Sequence, residues 1–261
     1  MAHIIDSFSA RYLRFKADYF SHFPDGLRLR KLRGIHQGGR CFIIGNGPSL
    51  RPEDLDVLEV NKEITFAFNR IYHIFSKTNW RPTYYVSQDD RMLSGCVEEV
   101  NLIPSQVKFI PAEFKWYYGI NISGATYFHF KNRPDSDIPL FSESIDKCIY
   151  NSNTVVITAI QIAIYMGISE LFLIGVDHHF RTSINSRGEI IIDKTSKDYF
   201  SEEYNKDSRD LYVPNLDQST KDFIAAKSYA LKKGVHIYNA TRGGCLEVFP
   251  RIPFDAIVQN G

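Results

Sequence analysis

Runs of apolar residues without polar alternation recur along this chain, at residues 40–44, 64–68, 83–87, 107–111, 125–130, 171–174 and 235–238. Short uninterrupted apolar runs bounded by Gly, Pro or Asn read as strands buried on both faces. Between them the period changes. Pro52 opens a short helix over 52–60, because its fixed φ suits a first helical position. Residues 154–166 are apolar nearly all round, which predicts a helix buried on every side and ended by Gly167. A further helix is expected over 219–233, and Asp89-Asp90 can cap the one that follows the third strand. Residues 131–150, with Pro134 and Pro139, read as a long loop. Residues 181–215 are polar and aromatic, and a loop of that length in a compact domain is usually a functional lid. Residues 1–38 read as helical and end at Gln37-Gly38-Gly39.

Strands alternating with helices predict a single Rossmann-like α/β domain over 39–255, with a mostly parallel sheet and helices on both faces. A basic, aromatic helical extension (1–38) precedes it and a short tail (256–261) follows. Such sheets bind ligands beyond the carboxyl ends of their strands. That rule selects 45–49, 69–72, 87–90 and 175–180, with 239–244 as a fifth segment.

Composition narrows the class. With 261 residues, 44% hydrophobic and 23% charged, the chain can bury a substantial core and is not compositionally disordered. A net charge of +1 supplies no whole-chain field for nucleic acid. The charge is unevenly spread, however. Arg11, Arg14, Lys16, Arg28, Arg30, Lys31, Arg33 and Arg40 are interleaved with Phe8, Tyr12, Phe15, Tyr19, Phe20 and Phe23. That pattern fits a solvated helix packed on the domain, or a surface that rests on anionic lipid or a partner. Cys41, Cys96, Cys148 and Cys245 show no CxxC or zinc spacing and read as reduced thiols of a cytoplasmic protein. No apolar run is long enough to span a bilayer and the start lacks a signal-peptide core, so any membrane contact would be peripheral, at the inner face.

The strongest chemical signal is Ile43-Ile-Gly45-Asn46-Gly47-Pro48-Ser49-Leu50. A strand running into glycines and then a helix start is expected to leave backbone N–H groups free for phosphate. Pro48 rules out a dinucleotide GxGxxG, and no GK[ST] follows for a Walker loop. Asn69 ends the second strand, where it can read a ribose or base edge or simply form the turn. Gln88-Asp89-Asp90 ends the third, but the spacing is wrong for a metal-binding Asp-x-Asp, and helix capping explains the carboxylates as well. Ser152, Asn153 and Thr154 can cap the buried helix or meet an anionic ligand there. Asp177 beside His178 and His179 can orient and charge an imidazole as a general base, and adjacent strand residues face opposite sides, so one histidine should face the site. His3, His36, His73, His129 and His236 sit singly and carry no such signal. Arg242, flanked by Gly243-Gly244, can close over a phosphate or form a glycine-rich turn.

Taken together, Gly45-Asn-Gly-Pro-Ser-Leu50, Phe68-Asn69, Gly175-Val-Asp177 and Asn239-Ala-Thr-Arg-Gly-Gly244 resemble the 6-hydroxymethylpterin pyrophosphokinase-like superfamily and, more distantly, the single-domain bacterial lipooligosaccharide sialyltransferases. The resemblance covers about residues 40–255. It implies that Asn46, Gly47, Ser49, Asn69 and the stretch Ser152, Asn153 and Thr154 contact a cytidine monophosphate sugar, without metal. Many relatives carry His-Phe in the lid where this chain has Tyr199-Phe200. The base then falls to His178 or His179, or the activity differs. Tyr199, Tyr204 and Tyr212 are candidates for the leaving phosphate. The expectation is a metal-independent glycosyltransferase of surface polysaccharide or lipopolysaccharide synthesis. It would take a nucleotide-sugar donor and a glycan or glycolipid acceptor, without nucleic acid, and could form a homo-oligomer. The alternatives are an ATP- and Mg²⁺-dependent pterin-type pyrophosphokinase, using Asp89, Asp90 or Asp177, and a nucleotide-binding protein without catalysis.

Overall fold

A computed structural model describes residues 7–132, 139–185, 187–193, 197–201, 204 and 212–259. His3, Pro134 and parts of the expected lid lie outside the described residues.

Seven strands form one fully parallel sheet: β1 (Arg40–Ile44), β2 (Ile64–Phe68), β3 (Tyr84–Val86), β4 (Val107–Pro111), β5 (Ala125–Phe128), β8 (Glu170–Ile174) and β11 (His236–Asn239). Two small ribbons complete the strands. β6 (Phe130–Lys131) pairs with β7 (Ile149–Tyr150), and β9 (Thr182–Ile184) forms a hairpin with β10 (Ile190–Ile192). Strand order in the large sheet is β11-β8-β1-β2-β3-β4-β5. The chain starts at β1 and builds outward to β5. It then crosses back to place β8 on the other side of β1. That reversal is the switch point at which sheets of this kind open a ligand crevice.

Four of the five residues in β1, β2, β4 and β8 are buried, as their uninterrupted apolar runs require. Aromatic contacts tie neighbouring strands, with Phe42 and Phe172 ring centroids 5.2 Å apart and Phe66 and Tyr84 4.9 Å apart. The helices are α1 (Ser7–Asp18), α2 (Pro24–Lys31), α3 (Pro52–Val60), α4 (Asp90–Ser94), α5 (Val97–Leu102), α6 (Ala112–Tyr118), α7 (Val155–Tyr165), α8 (Leu216–Lys232) and α9 (Phe254–Val258). α7 is buried on all sides and lies against β1 and β3, with α8 beside it. Its two interior polar residues are satisfied: the Thr158 hydroxyl donates to Gln88 Oε1 (2.5 Å), and Gln161 Oε1 accepts from the Ser142 N–H (3.0 Å).

The structure departs from the sequence pattern in several places, among them the β9–β10 hairpin inside the expected 181–215 loop. The described part of the extension, from residue 7, holds α1, a 3-10 turn (Phe20–His22) and α2, with the break before α2 where Phe23 must stay extended ahead of Pro24. Its second half packs on the edge strand β5, with Leu29 fully buried. The expected 125–130 strand stops at Phe128, and Phe130–Lys131 swings out to pair with Ile149–Tyr150, inside what read as loop. α8 begins at Leu216, not 219, because Asn215 caps it by accepting from Gln218 N–H at 3.0 Å. The expected tail begins inside α9, whose Phe254 and Ile257 are buried.

Candidate functional site

A cleft of about 850 Å³ opens beyond the carboxyl ends of β1, β2, β3 and β8, at the switch point. Gly45, Asn46, Gly47, Asn69 and Asp89 line it from the strand ends. Ser152, Asn153 and Thr154 reach it from the start of α7, and Asp177, His178 and His179 from the end of β8. These segments, far apart in sequence, do converge. Pro48, Ser49 and Arg242 are not part of the lining.

Most of the amides in the 45–49 turn are already used. The Gly45 and Gly47 N–H groups donate to the carbonyls of Ile174 and Gly175, each at 2.8 Å, so the β1–β8 ladder runs past the strands. Pro48 has no N–H. The Asp177 carboxylate accepts from the Ser49 hydroxyl at 2.7 Å and also from the Ser49 backbone N–H. The expected phosphate cradle is thus in part taken up by the protein itself: the Asp177 carboxylate holds Ser49, while Gly45, Asn46 and Gly47 still line the cleft. Burial pushes the Asp177 carboxyl above the usual carboxylate range, against the lowering effect of those hydrogen bonds. Both glycines are required sterically. A Cβ on Gly45 would lie 2.2 Å from the Gly175 carbonyl oxygen, and one on Gly47 would lie 1.9 Å from Asp177 Oδ2.

Asp177 therefore holds the turn, and the nearby His179 charge also acts on its carboxyl. His179 finds its carboxylate elsewhere, with Nε2 3.2 Å from Asp193 Oδ2 at the end of the β9–β10 hairpin. His178 faces α8, where its Nε2 lies 2.8 Å from Thr220 Oγ1. The Thr220 hydroxyl hydrogen is already given to the Leu216 carbonyl (2.9 Å), so Oγ1 must accept from His178. That fixes the proton on Nε2 and leaves the lone pair on Nδ1. Burial lowers the His178 pKa, so the ring is neutral at pH 7. The sign for stability follows. The folded state binds this proton less readily than the unfolded chain, so the contribution is full above the ordinary value of 6.5 and is lost as pH falls through the lower folded value. Urea midpoints measured from about pH 7 to pH 5 should fall more for the wild type than for His178→Gln.

His178 (φ 54°) and Asn69 (φ 50°) are two of the three non-glycine residues in the left-handed region among the described residues, and both line the cleft. Strain of this kind concentrates at functional sites. Asn46 Nδ2 donates to the Phe68 carbonyl (3.1 Å) and approaches Tyr204 Oη (3.3 Å), which leaves Asn46 Oδ1 buried without a hydrogen-bond partner. Asn69 Oδ1 is likewise buried and unpartnered. Tyr199 and Tyr204 stack at 3.8 Å beside this pair, and the Phe200 N–H donates to the Asn46 carbonyl (3.0 Å). Burial drives the Tyr204 hydroxyl up to about 12. Tyr212, the third tyrosine, also lines the cleft, with its hydroxyl 3.3 Å from Asp90 Oδ1.

The remaining predicted positions also make contacts within the scaffold. Asp89 caps α4 by accepting from the Met92 N–H (2.9 Å), and burial raises its pKa. Asn153 donates through both its backbone and its side chain to the buried Asp222 (2.7 and 2.9 Å). Ser152 Oγ donates to the Thr154 carbonyl, and Thr154 caps α7. The carboxylates of Asp89, Asp90 and Asp177 are thus each committed separately, and no group of three or more metal-ligating side chains occurs among the described residues. Arg242 is corrected from a phosphate clamp to a strut. It pairs with Asp54 of α3 (2.8 Å) and Asp255 of α9 (3.0 Å). Arg242→Ala should cost about 1–2 kcal/mol in chemical denaturation, mainly through the buried Asp54, and leave ligand affinity unchanged.

Glu113, Tyr117 and Tyr118 of α6 also line the cleft and escaped the sequence reading. Glu113 accepts from His129 Nδ1 (2.6 Å) and the Phe130 N–H (3.0 Å). Neither half of that pair sits in a recognisable motif, because α6 follows β4 without a glycine-rich turn.

The fold and site define an α/β protein with a ligand cleft at the topological switch of a parallel sheet. The family model for 6-hydroxymethylpterin diphosphokinase MptE-like proteins matches residues 18–183, and the chain belongs to that family. Among solved structures, the Maf glycosyltransferase of Magnetospirillum magneticum AMB-1 superposes with a TM-score of 0.52 at 15% identity. The match covers 89% of this chain but 38% of that one, so this chain spans well under half of the Maf protein. At that identity the likeness is one of fold. No curated protein sequence matches significantly. Among the described residues no helix is long and apolar enough to cross a membrane.

Proposed function

We propose that this chain is a metal-independent glycosyltransferase. It takes a nucleotide-activated sugar, with a cytidine monophosphate nonulosonate favoured, for transfer to a glycan or glycolipid acceptor in surface polysaccharide synthesis. The observation that carries this reading is that Asn46 and Asn69, both in the lining of the cleft, keep buried amide oxygens without a hydrogen-bond partner. A buried acceptor without a donor costs about 1–3 kcal/mol, and ribose hydroxyls or a base amino group supply the missing donors. The Tyr199–Tyr204 stack beside them offers an aromatic face to a base. The cleft volume of about 850 Å³ suits a ligand of nucleotide-sugar size. The fold shared with the Maf glycosyltransferase agrees with this reading.

In this mechanism the leaving phosphate meets the start of α7, whose dipole points its positive end into the cleft, rather than the 45–49 turn. The acceptor hydroxyl gives its proton to His178 Nδ1 as its oxygen attacks the anomeric carbon. The bond from that carbon to the phosphate oxygen breaks, its electrons leave with the nucleotide, and the anomeric centre inverts. Asp177, through Ser49, keeps the turn in register and does no acid–base work.

Family membership makes a pterin-type pyrophosphokinase the competing reading. A thermal-shift panel of CMP, CDP, UDP, GDP and ATP, each with and without Mg²⁺, separates the two. CMP stabilising the protein in the presence of a chelator is the expected result. Stabilisation by Mg·ATP alone contradicts the proposal and favours the kinase, and no response to any nucleotide favours a protein without nucleotide chemistry.

A further inference from the structure

α1 is a twelve-residue helix in which none of the residues with described side chains is buried. A helix that short is marginal in water and gains stability from a face that packs on something. Its apolar residues instead point outward: Phe8 is 81% exposed, Tyr12 52% and Phe15 51%. At 100° per residue these three fall on a stripe about 60° wide, with Arg11 on one flank and Lys16 on the other. Tyr19, just past the helix, continues the stripe and is 52% exposed.

Charge points to the occupant. The first forty residues carry eight basic side chains against three acidic ones, while the whole chain is nearly neutral at +1. The arginines of and after α2 are partly neutralised within the protein, as Arg28 pairs with Asp25, and Arg30 and Arg33 with Asp146. Arg11 and Arg14 are exposed, and no acidic partner is found for them among the described residues. An aromatic stripe flanked by long cationic side chains is the arrangement that lies in a bilayer interface, with rings at the acyl boundary and charges at anionic headgroups.

Lys16 Nζ sits 5.2 Å from the Trp116 ring centroid, which holds α1 against α6. Tyr117 and Tyr118, next along α6, line the cleft. The outward stripe and one wall of the cleft therefore share a flank of the molecule.

We infer that the aromatic face of α1 is a docking surface for anionic lipid bilayers, holding the protein peripherally with the α6 side of its cleft toward the membrane. This is independent of which nucleotide the cleft takes.

The test is co-sedimentation of the full chain with phosphatidylcholine vesicles, with and without about one quarter phosphatidylglycerol. The triple variant Phe8→Ser/Tyr12→Ser/Phe15→Ser and the charge variant Arg11→Glu/Arg14→Glu are run alongside, with light scattering for oligomeric state. None of these residues is buried, so both variants should fold, which circular dichroism checks. The expected result is binding to the anionic vesicles only, weakened by salt and at least about tenfold by either variant. Absence of binding to anionic vesicles overturns the inference, as does equal binding by the variants. A wild-type dimer that the triple variant dissolves, without vesicle binding, also overturns it and assigns the stripe to a second copy of the chain.

Discussion

Replacing His178 with glutamine should lower turnover by about 10²–10⁴-fold while changing nucleotide affinity by no more than about twofold. Glutamine preserves a donor toward Thr220 but offers no basic nitrogen to the cleft. The His178 ring is committed to one tautomer because the Thr220 hydroxyl hydrogen already goes to the Leu216 carbonyl, so Nδ1 is the atom left to accept a proton. Its burial keeps the ring neutral below the ordinary histidine value of 6.5, so the acid limb of the wild-type rate profile should lie below that pH. His179→Gln should be far milder, because that ring is half-exposed and held by Asp193. Equal losses in the two variants, or an acid limb above the ordinary histidine value, would show that the base has been misassigned.

Gly45→Ala should destabilise the fold by about 3 kcal/mol or more, or prevent folding altogether. The new methyl would meet the Gly175 carbonyl oxygen at 2.2 Å and its carbon at 2.7 Å, and neither is a flexible side chain that could move aside. To make room, β1 and β8 would have to part at the switch point, breaking the Gly45 and Gly47 hydrogen bonds that extend their ladder. Gly119→Ala is the control. That glycine is left-handed (φ 68°) with nothing near its missing Cβ, and should lose only about 1 kcal/mol of backbone preference. A denaturation midpoint for Gly45→Ala close to that of the control would mean that the two strand ends are looser than described.

Why the turn carries its glycines is where sequence and structure part company. Gly45-Asn-Gly-Pro-Ser announces a close approach of backbone, and that much is correct. What approaches is the protein itself, the Gly175 carbonyl and the Asp177 carboxylate, rather than a phosphate. A sequence shows that room is needed but not what fills it, since Asp177 lies 128 positions from Ser49. The strands were legible because burial on both faces leaves no alternation, and β1, β2 and β4 begin and end where their apolar runs do. The buried α7 announced itself in the same way. By contrast, the β6–β7 ribbon has two residues per strand and no periodicity to read. Convergence of 45–47, 69, 89 and 177–179 followed from the rule that parallel sheets bind at their carboxyl ends, and 152–154 from the polar start of the buried helix. Glu113 and the α6 tyrosines followed no such rule and came only from the fold. Arg242 looked like a clamp because its partner Asp54 is 188 residues away, a separation that hides an ion pair from any local reading.

The most direct test of a nucleotide seated on the two asparagines is calorimetric titration of CMP, in the presence of a chelator, into the wild type and into Asn46→Ala/Asn69→Ala. One saturable site in the wild type, weakened at least about tenfold in the double variant, is the predicted result, since each lost acceptor removes roughly one hydrogen bond. Undiminished binding by the double variant, or binding that appears only as Mg·ATP, would contradict it.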